Sequence, residues 1–269
     1  MIGELIETTQ QKDDFKRYFE IVRTLVEFNL KVRYRGSFLG VYWSLLNPLI
    51  MTGVYTSIFG AAFIDHYNGS IARYMLAAFT GLVAIHFYTT STSQALLSVV
   101  TNGMLLNKIK LPLAAFPLAM VVAHLVQFCV GSLPLLFIVA LVTSKNPLNA
   151  IALFFPVASL TMLCLGIGYI ISALYVFFRD LPYFYEIVAF LLWISTPVFY
   201  PAEIVPQKIQ PILKLNPLSS IIESIRQLVL SGQSPDLSLI FQSVLAGSIV
   251  LMIGWMFFQI LKPHYMDLI

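Results

Sequence analysis

Few side chains inside the apolar segments of this sequence can carry acid–base chemistry. Glu186 is the one carboxylate that lies clearly within such a segment, and His86 and His124 are isolated histidines in two others. An ionisable group in the membrane interior is costly and is usually kept for a function. A single histidine in a helix more often makes a packing hydrogen bond than a proton relay, so the sequence gives a proton or sodium pathway little support.

Motifs of hydrolytic enzymes are absent from the sequence. It contains neither a Gly-x-Ser-x-Gly elbow nor a His-Glu-x-x-His pair. Ser132 follows His124 by eight residues, which is about 12 Å along a helix and too far for a contact between nucleophile and base. The chain also lacks a Gly-x-x-x-x-Gly-Lys-Ser/Thr loop, so energy from ATP would have to come from another subunit.

The composition is that of a membrane protein. Of the 269 residues, 58% are hydrophobic and 11% are charged, with a mean hydropathy of +0.83; an average soluble domain has about 25% charged residues. The formal charge of +3 is small and unclustered, which argues against nucleic-acid binding. Cys129 and Cys164 lie in apolar runs without metal-site or disulfide spacing, and the polar segment 1–11 does not resemble a cleavable signal peptide.

The apolar segments predict an all-α, polytopic protein with six transmembrane helices. A spanning helix needs about 20 mainly apolar residues to cross the hydrocarbon. Six segments meet this requirement: Phe38–Phe63, Tyr74–Ser93, Pro112–Thr143, Ala150–Phe178, Tyr183–Tyr200 and Leu237–Leu261. We therefore expect one six-span domain over residues 38–269, preceded by a cytoplasmic amino terminus over residues 1–37.

The distribution of Lys and Arg predicts the orientation of these spans. An even number of spans puts both termini on one side of the membrane, and the cytoplasmic side carries the excess of Lys and Arg. Eleven of the 16 such residues fall on the side of the termini. The other five are Arg73, Lys145, Lys208, Lys214 and Arg226. Both termini of this multi-pass protein are therefore predicted to be cytoplasmic.

Two further segments predict helices that do not span. Phe15 to Leu30 has apolar residues at helical spacing on one side and charged residues on the other, which is typical of an amphipathic helix in the headgroup region. The stretch Ala202–Gln233 is too charged and too interrupted by proline to cross. It predicts two short helices, about Pro206–Lys214 and Leu218–Leu230, that form a re-entrant hairpin on the outer side before the last span. A plain external loop is the alternative.

Two short loops on the predicted cytoplasmic side are suited to a peripheral partner. The first is Ala95–Lys110, which is compatible with a helix, and the second is the tight turn Phe178–Pro182. Their candidate contact residues are Asn102, Lys108, Lys110, Arg179 and Asp180. The simpler interpretation is that these residues only anchor the loops by the positive-inside rule.

Five short motifs, in order along nearly the whole chain, carry a resemblance to a known family. They are Arg33-Tyr34-Arg35-Gly36 followed by Gly40, Trp43, Asn47 and Pro48; Lys110-Leu111-Pro112; Phe178-Arg179-Asp180-Leu181; Thr196-Pro197-Val198-Phe199-Tyr200-Pro201; and Leu215-Asn216-Pro217-Leu218. With them the chain resembles the membrane subunits of type-2 ABC exporters of polysaccharides and polyol phosphates, which move O-antigen, capsule and teichoic-acid chains. The family often has Ser at the position of Thr196, a mild substitution.

The resemblance implies a homodimer of six-span subunits in the bacterial inner membrane, with one cytoplasmic ABC ATPase bound to each subunit. The two ATPases would bind ATP and Mg, and this chain would need no cofactor of its own. The cargo would be an undecaprenyl-linked polysaccharide, with O-antigen favoured. The loop Ala95–Lys110 would hold the coupling helix, and the amphipathic helix would lie on the membrane lipids near the ATPase.

The resemblance also implies where the cargo enters and passes. Arg33, Tyr34, Arg35 and Gly36 would form the cytoplasmic entrance, where planar guanidinium groups suit the diphosphate of a lipid-linked glycan. Binding of both arginines to anionic lipids is the open alternative. Spans one and five would flank the path, with the candidate aromatic residues Tyr42, Trp43, Tyr55, Phe59, Phe190, Trp193, Phe199 and Tyr200. Aromatic faces suit sugars, although such residues also form interfacial belts.

Two other functions compete with polysaccharide export. A type-2 ABC permease for drugs or small lipids would keep the ATPase partner and leave glycan export untouched. An intramembrane enzyme acting on lipid-linked sugars would turn over its substrate without an ATPase, through residues such as Glu186, His86 or His124. The ordered motifs and the missing P-loop favour the exporter.

Overall fold

Helices account for all the regular structure in the described part of the chain. The computed structural model describes residues 2–106, 108, 111–208 and 210–265, with side chains from residue 16 onward except 212 and 214. Within these ranges the structure has no β-strand, which confirms the all-α class. The α-helices are α1 (Ile2–Tyr34), α2 (Trp43–Phe63), α3 (Ile71–Leu97), α4 (Gly103–Leu106), α5 (Ala115–Val130), α6 (Ser132–Ser144), α7 (Pro147–Ala152), α8 (Phe154–Phe177), α9 (Leu181–Ser195), α10 (Gln210–Leu215), α11 (Pro217–Leu230) and α12 (Leu237–Leu261).

Four helical segments of the described chain are long and apolar enough to cross a membrane, and there are five if a bent pair counts as one span. The four are Gly40–Tyr67, Ile71–Leu97, Pro147–Phe177 and Leu237–His264. They correspond to the first, second, fourth and sixth predicted spans. By helix length and composition alone, fewer than the six predicted spans are found in the described chain, because the third predicted span is bent and the helix of the fifth is short.

The third predicted span, Pro112–Thr143, consists of α5 and α6, which meet at Gly131 with a bend of 45°. At the bend, the hydroxyl of Ser44 in α2 donates to the carbonyl of Gln127 at 3.3 Å. The hydroxyl of Ser132 in turn donates to the carbonyl of Ser44 at 3.1 Å. These bonds hold the bend against the beginning of α2. The break in the helix is explained by Pro134, which has no N–H to donate to the carbonyl of Val130.

The fifth predicted span, Tyr183–Tyr200, is a helix of only 15 residues, α9. It is about 22 Å long at 1.5 Å per residue, against roughly 30 Å of hydrocarbon. The helix ends at Ser195, before the predicted Tyr200, because Thr196 precedes Pro197 and adopts extended backbone with φ −88 and ψ 133. From there the chain continues as a non-helical turn to Tyr200.

Close packing of α3, α8 and α12 forms the core of the bundle. The central helix α3 contacts α8, α2 and α5, and most of its side chains are buried. Between α8 and α12, a Cβ atom added at Gly254 would collide with the backbone of Gly166, and one added at Gly247 would lie 2.6 Å from the carbonyl oxygen of Ser159. Glycine at these positions therefore lets the two helices approach closely.

The helix predicted for Phe15–Leu30 forms part of α1, and its apolar side packs on α5. The apolar side of α1, which includes Val22 and Val26, lies on Ala115, Ala119 and Ala123. The charged side is exposed, and on it Glu27 pairs with Arg23 at 3.0 Å and with Lys31 at 3.9 Å. The helix is longer than predicted and continues to Tyr34. The side chain of Phe15 lies outside the described residues.

Two helices, α10 and α11, occupy the stretch that was predicted to contain a helical hairpin. Asn216 begins α11, with its side-chain oxygen accepting from the backbone N–H of Leu218 at 3.0 Å. One face of α11 is buried against α3, α6, α8 and α12. The buried residues of that face are Leu218, Ile221, Ile222, Ser224, Ile225, Arg226, Leu228 and Val229. This part of the stretch is therefore packed helix rather than loop.

Candidate functional site

Six of the eight predicted path residues come together in one aromatic cluster between α2 and the end of α9. Phe199 lies at its centre, with ring centroids 4.7 Å from Tyr55, 5.5 Å from Phe59 and 5.6 Å from Trp193. Two further rings complete the cluster: the centroid of Phe190 lies 6.1 Å from that of Trp193, and the centroid of Tyr200 lies 5.3 Å from that of Phe199. These separations lie in the range of favourable aromatic pairing. The structure therefore joins residues that are more than 130 positions apart in the sequence.

One side of the aromatic cluster is uncovered within a single chain. Phe190 is 57% exposed, and Tyr55, Phe59, Trp193, Phe199 and Tyr200 are only partly buried. Apolar side chains of α2 and α9 beside them are exposed as well. Such a surface presents flat apolar faces together with the polar atoms of Tyr and Trp, which suits amphipathic ring-shaped ligands such as sugars.

Tyr42 and Trp43 are not part of this cluster. Both are exposed and lie at the beginning of α2, about 18 Å along the helix axis from Tyr55. They sit at the same end of the bundle as the last turn of α1, which we call the α1 end. The cluster lies towards the opposite end, the hairpin end, where α9 is followed by α10 and α11.

A buried arginine holds the turn that carries Phe199. Nη2 of Arg226 in α11 donates to the carbonyl oxygens of Pro197 at 2.8 Å and Val198 at 3.0 Å. Its Nη1 lies 3.3 Å from the carboxylate of Glu223, and the residue is only 7% exposed. Both carbonyls are thus bound by one charged group of a neighbouring helix, in the strong class of charge-assisted hydrogen bonds.

Three more contacts fix the same turn. Nδ2 of Asn216 donates to the hydroxyl oxygen of Thr196 at 2.9 Å, and the hydroxyl of Tyr74 donates to the carbonyl of Phe199 at 2.9 Å. Gly81 in α3 lies so close that an added Cβ would come within 2.6 Å of the carbonyl oxygen of Val198. The motif from Thr196 to Pro201 is therefore an ordered junction between α9, α3 and α11.

The sequence analysis missed Arg226, Tyr74 and Asn216 as parts of the site. A usable signal existed for Arg226, which lies four residues after Ile222 on the apolar face of α11. A charged side chain on a buried face normally has a partner. Nothing in the sequence indicates that its partners are backbone carbonyls of a distant turn.

At the α1 end, Arg33 is exposed over much of its surface, but its guanidinium turns towards α5. Its Nη1 donates to Nε2 of His124 at 2.5 Å and to Oε1 of Gln127 at 3.4 Å. Nδ1 of His124 donates to the carbonyl of Met120 at 2.8 Å, so Nε2 is left as the acceptor. Burial lowers the pKa of the Arg33 guanidinium, and the neighbouring Tyr34 opposes this; an arginine nevertheless stays charged.

A polar cavity of about 520 Å³ opens beside Arg33 and His124. Its other lining residues are Asn29, Val32, Thr89, Thr90, Ser93, Gln94 and Met120. A recess of about 10 Å³, lined by His86, His124 and Gln127 among others, continues inward, which is room for about one water molecule. The two histidines, predicted as isolated residues, thus share one recess.

The four predicted entrance residues separate into two groups. Arg33 makes the contacts just described, and Tyr34 beside it is partly buried. Arg35 and Gly36 are exposed beyond the end of α1, where Gly36 takes the left-handed conformation with φ +78. A glycine there accommodates the sharp change of direction into α2.

The predicted partner-contact residues also lie at the α1 end. Val99 and Leu106 of the first loop pack with Val176 near the end of α8, which brings the two loops to the same end of the bundle. Asn102 is partly buried and donates to the carbonyl of Ser98 at 2.8 Å. Lys108, Arg179 and Asp180 are exposed, with Arg179 stacked over the ring of Tyr175 at 5.9 Å. Lys110 lies outside the described residues.

Comparison with known proteins gives the family. Residues 20–230 match the ABC-2 type transporter family. The O-antigen export system permease protein RfbA of Klebsiella pneumoniae is 28% identical over 255 residues, or 93% of this chain and 95% of that protein. The RfbA protein of Myxococcus xanthus is 31% identical over 224 residues, or 82% of this chain and 84% of that protein. Because the matches cover most of the chain, this protein belongs to the ABC-2 type transporter family, as a membrane transport subunit that works with an ABC ATPase.

Proposed function

We propose that this chain is the permease of an ATP-driven exporter of lipid-linked polysaccharide across the bacterial inner membrane, with O-antigen as the favoured cargo. The observation that carries the proposal is the half-open aromatic cluster between α2 and α9, which offers sugar-compatible ring faces on a wall otherwise made of apolar side chains. The names of the relatives, permeases of O-antigen export that align with 93% and 82% of this chain, support the choice of cargo.

The path is formed by two copies of the chain. In one copy the aromatic cluster has a wall on one side only, and the apolar faces of α2 and α9 beside it are uncovered. A second copy related by twofold symmetry supplies the facing wall. The cargo, carried on an undecaprenyl chain, passes between them in contact with the rings of both copies. Stacking of sugar rings on open aromatic faces is weak and does not depend on the order of the sugars. Weak binding of this kind suits a polymer that must keep moving.

In this proposal the membrane domain covers residues 38–269 and has six spans with both termini in the cytoplasm. The bent pair α5 and α6 is the third span, and α9 together with the turn from Thr196 to Tyr200 is the fifth. The excess of Lys and Arg at the α1 end supports this orientation. It makes the hairpin end the outer side, where α10 and α11 form the re-entrant hairpin, and it lays α1 along the inner surface on the membrane lipids.

Arg33, Tyr34, Arg35 and Gly36 form the entrance for the lipid-linked end of the glycan. Arg35 is exposed and free to move to the diphosphate, whereas Arg33 stands fixed by His124 at the mouth of the cavity beside α3. One guanidinium is thus pre-positioned and one is mobile, and both match the planar geometry of phosphate oxygens. The same charges would also draw anionic lipid headgroups to this surface.

One ABC ATPase, which binds ATP and Mg, docks on the α1 end of each copy. The contact residues are Asn102, Lys108, Lys110, Arg179 and Asp180. A cavity of about 580 Å³ lies next to the first loop, and its lining includes Leu106, Leu113 and Lys262. This concave surface is a binding site for part of the ATPase. Because this region packs directly on the ends of α8 and α12, movement of the ATPase reaches the long helices.

Deletion of the chain from its own cell tests the proposed function. The expected result is that completed glycan, still bound to its lipid, accumulates on the inner face of the plasma membrane and disappears from the cell surface. Re-expression should restore export only when the ATPase keeps an intact P-loop. Normal surface glycan in the deletion strain, with impaired efflux of drugs or small lipids instead, would contradict the polysaccharide assignment. Turnover of a lipid-linked sugar by the purified chain alone would contradict transport.

A further inference from the structure

The helix α9 has few attachments to the rest of its own chain. Tyr185 is its one buried side chain within the described residues, and the hydroxyl of Tyr185 donates to Thr92 in α3 at 2.5 Å. The next fixed point is the turn that begins at Thr196. The position of the rings on α9, and of Phe199 beyond it, therefore depends on how that turn is held.

Arg226 makes the strongest attachment of that turn. A buried guanidinium loses its hydration, which is costly unless carbonyls or carboxylates replace the water. Here Nη2 binds two successive carbonyls, those of Pro197 and Val198, at 2.8 and 3.0 Å. A lysine is shorter and carries its three donors on a single nitrogen, so it lacks the planar fork that places one nitrogen on the two carbonyls and the other on Glu223.

The two bound carbonyls directly precede Phe199. Their orientation sets the direction in which the backbone leaves Val198, and hence where the ring of Phe199 points. On its other side the carbonyl of Phe199 is held by the hydroxyl of Tyr74 at 2.9 Å. The ring so placed lies 4.7 Å from Tyr55 and 5.6 Å from Trp193, and thus connects the rings of α2 to those of α9.

We infer that Arg226 is a positioning residue of the translocation path, which fixes the ring of Phe199 in the aromatic cluster through the carbonyls of Pro197 and Val198. Through this link a displacement of α11 moves Phe199, so the hairpin end and the wall of the path change position together. The part of the inference that concerns transport rests on the proposed function. The part that concerns the ring does not.

A double-mutant cycle on export tests the inference. The variants R226K, F199L and R226K/F199L are each assembled with the ATPase and compared with the unaltered chain. R226K should lower the export rate about tenfold, the loss expected for one charge-assisted hydrogen bond. F199L should also lower it about tenfold, because it removes the ring at the centre of the cluster. The double variant should be no slower than F199L, because Arg226 acts through the ring that F199L has already removed. The inference would be overturned if the double variant lost export by the product of the two single losses, or if R226K exported at the unaltered rate.

Glu223 supplies the matched control. It is 49% exposed and faces Nη1 rather than the nitrogen that binds the turn. The variant E223Q should therefore export at close to the unaltered rate. If E223Q loses as much as R226K, the ion pair rather than the carbonyl link is what matters, and the inference is wrong.

A second variant covers failure of R226K to fold. Y74F removes only the hydroxyl that holds the carbonyl of Phe199, and it should lower export in the same non-additive way with F199L. If Y74F and F199L instead multiply, the link from the turn to the ring is refuted whatever R226K does.

A fluorescence measurement separates this inference from the proposed function. With Trp43→Phe and Trp255→Phe, Trp193 is the one remaining tryptophan of the chain, and its ring contacts Phe199. R226K should increase quenching of Trp193 by acrylamide, while E223Q should not. Unchanged quenching would overturn the inference even if export is normal. Changed quenching in a protein that exports no glycan would instead count against the proposed function alone.

Discussion

Arg33 and His124 connect the last turn of α1 to the middle of α5 through a hydrogen bond of 2.5 Å. The bond requires the neutral ring with its proton on Nδ1, which the carbonyl of Met120 enforces. The surface helix is thus held to the bundle by a directional polar contact as well as by its apolar face. A helix attached only by apolar contacts would slide more easily, since those contacts are not directional.

Replacing His124 should loosen α1. In H124L the guanidinium of Arg33 loses its nearer acceptor and keeps only Gln127. We expect a loss of about 1 kcal/mol in stability, because an exposed cation recovers some hydration. The expected result is a lower unfolding temperature and faster proteolysis within α1. H124Q, whose side-chain oxygen is able to accept from Arg33, should restore most of both values. Equal behaviour of the Leu and Gln variants would show that the hydrogen bond contributes nothing.

Replacing Arg35 should weaken export without weakening the fold. Because Arg35 is exposed beyond the end of α1, R35Q should leave the unfolding temperature unchanged. Loss of one charge-assisted hydrogen bond to the diphosphate should reduce export about tenfold. The measurement is export by the complex in vesicles with and without anionic lipid. A deficit present only with anionic lipid would instead assign Arg35 to lipid binding.

Truncating Phe190 tests the aromatic path. F190L removes an exposed ring of the cluster and should lower the export rate about two- to tenfold, the usual worth of an aromatic contact. F154L is the matched control, because Phe154 is also exposed, at 74%, but lies on α8 at the hairpin end outside the cluster. Both variants should fold normally. Similar losses in the two would mean that exposed rings matter only as general membrane anchors.

Filling the contact between α8 and α12 should destabilise the bundle. The Cβ added in G254A meets the backbone of Gly166, which has no rotamer with which to yield, so a loss of about 1–3 kcal/mol is expected. G53A is the control, since a Cβ at that helical position has nothing within 4 Å. Thermal unfolding of the purified complex measures both. A stable G254A protein would show that the helices separate without cost.

The sequence predicted the helices best where one physical signal dominates. The last span, Leu237–Leu261, has the predicted bounds because Asp236 caps it, accepting from the N–H of Ser238 at 2.9 Å. The amphipathic part of α1 was likewise visible from its periodicity. The two departures arise from breaks, at Gly131 in the third predicted span and at Thr196 before Pro197 in the fifth. The membership of a type-2 ABC family, inferred from motifs, is confirmed.

The contacts within the site were less accessible from the sequence. Aromatic residues on the first and fifth predicted spans were singled out, and six of them do meet in the structure. Tyr42 and Trp43 lie away from that cluster, because a residue's position along a helix axis decides what it can reach. The bonds of Arg226 and Arg33 involve carbonyls and a histidine far away in the chain, and local patterns carry no information on such pairings.

The sparse attachment of α9 has a consequence for how cargo range can change. Because Tyr185 is its one buried side chain in the described structure, most substitutions on this helix leave the interior of the protein intact. If α9 lines the proposed path, natural or engineered substitutions there would change the surface that meets the cargo at little cost in folding stability. The amino-acid sequences of relatives with different cargoes would then be expected to differ most along this helix. The residues that bind its two ends, at Tyr185 and at the turn after Ser195, would be expected to stay the same.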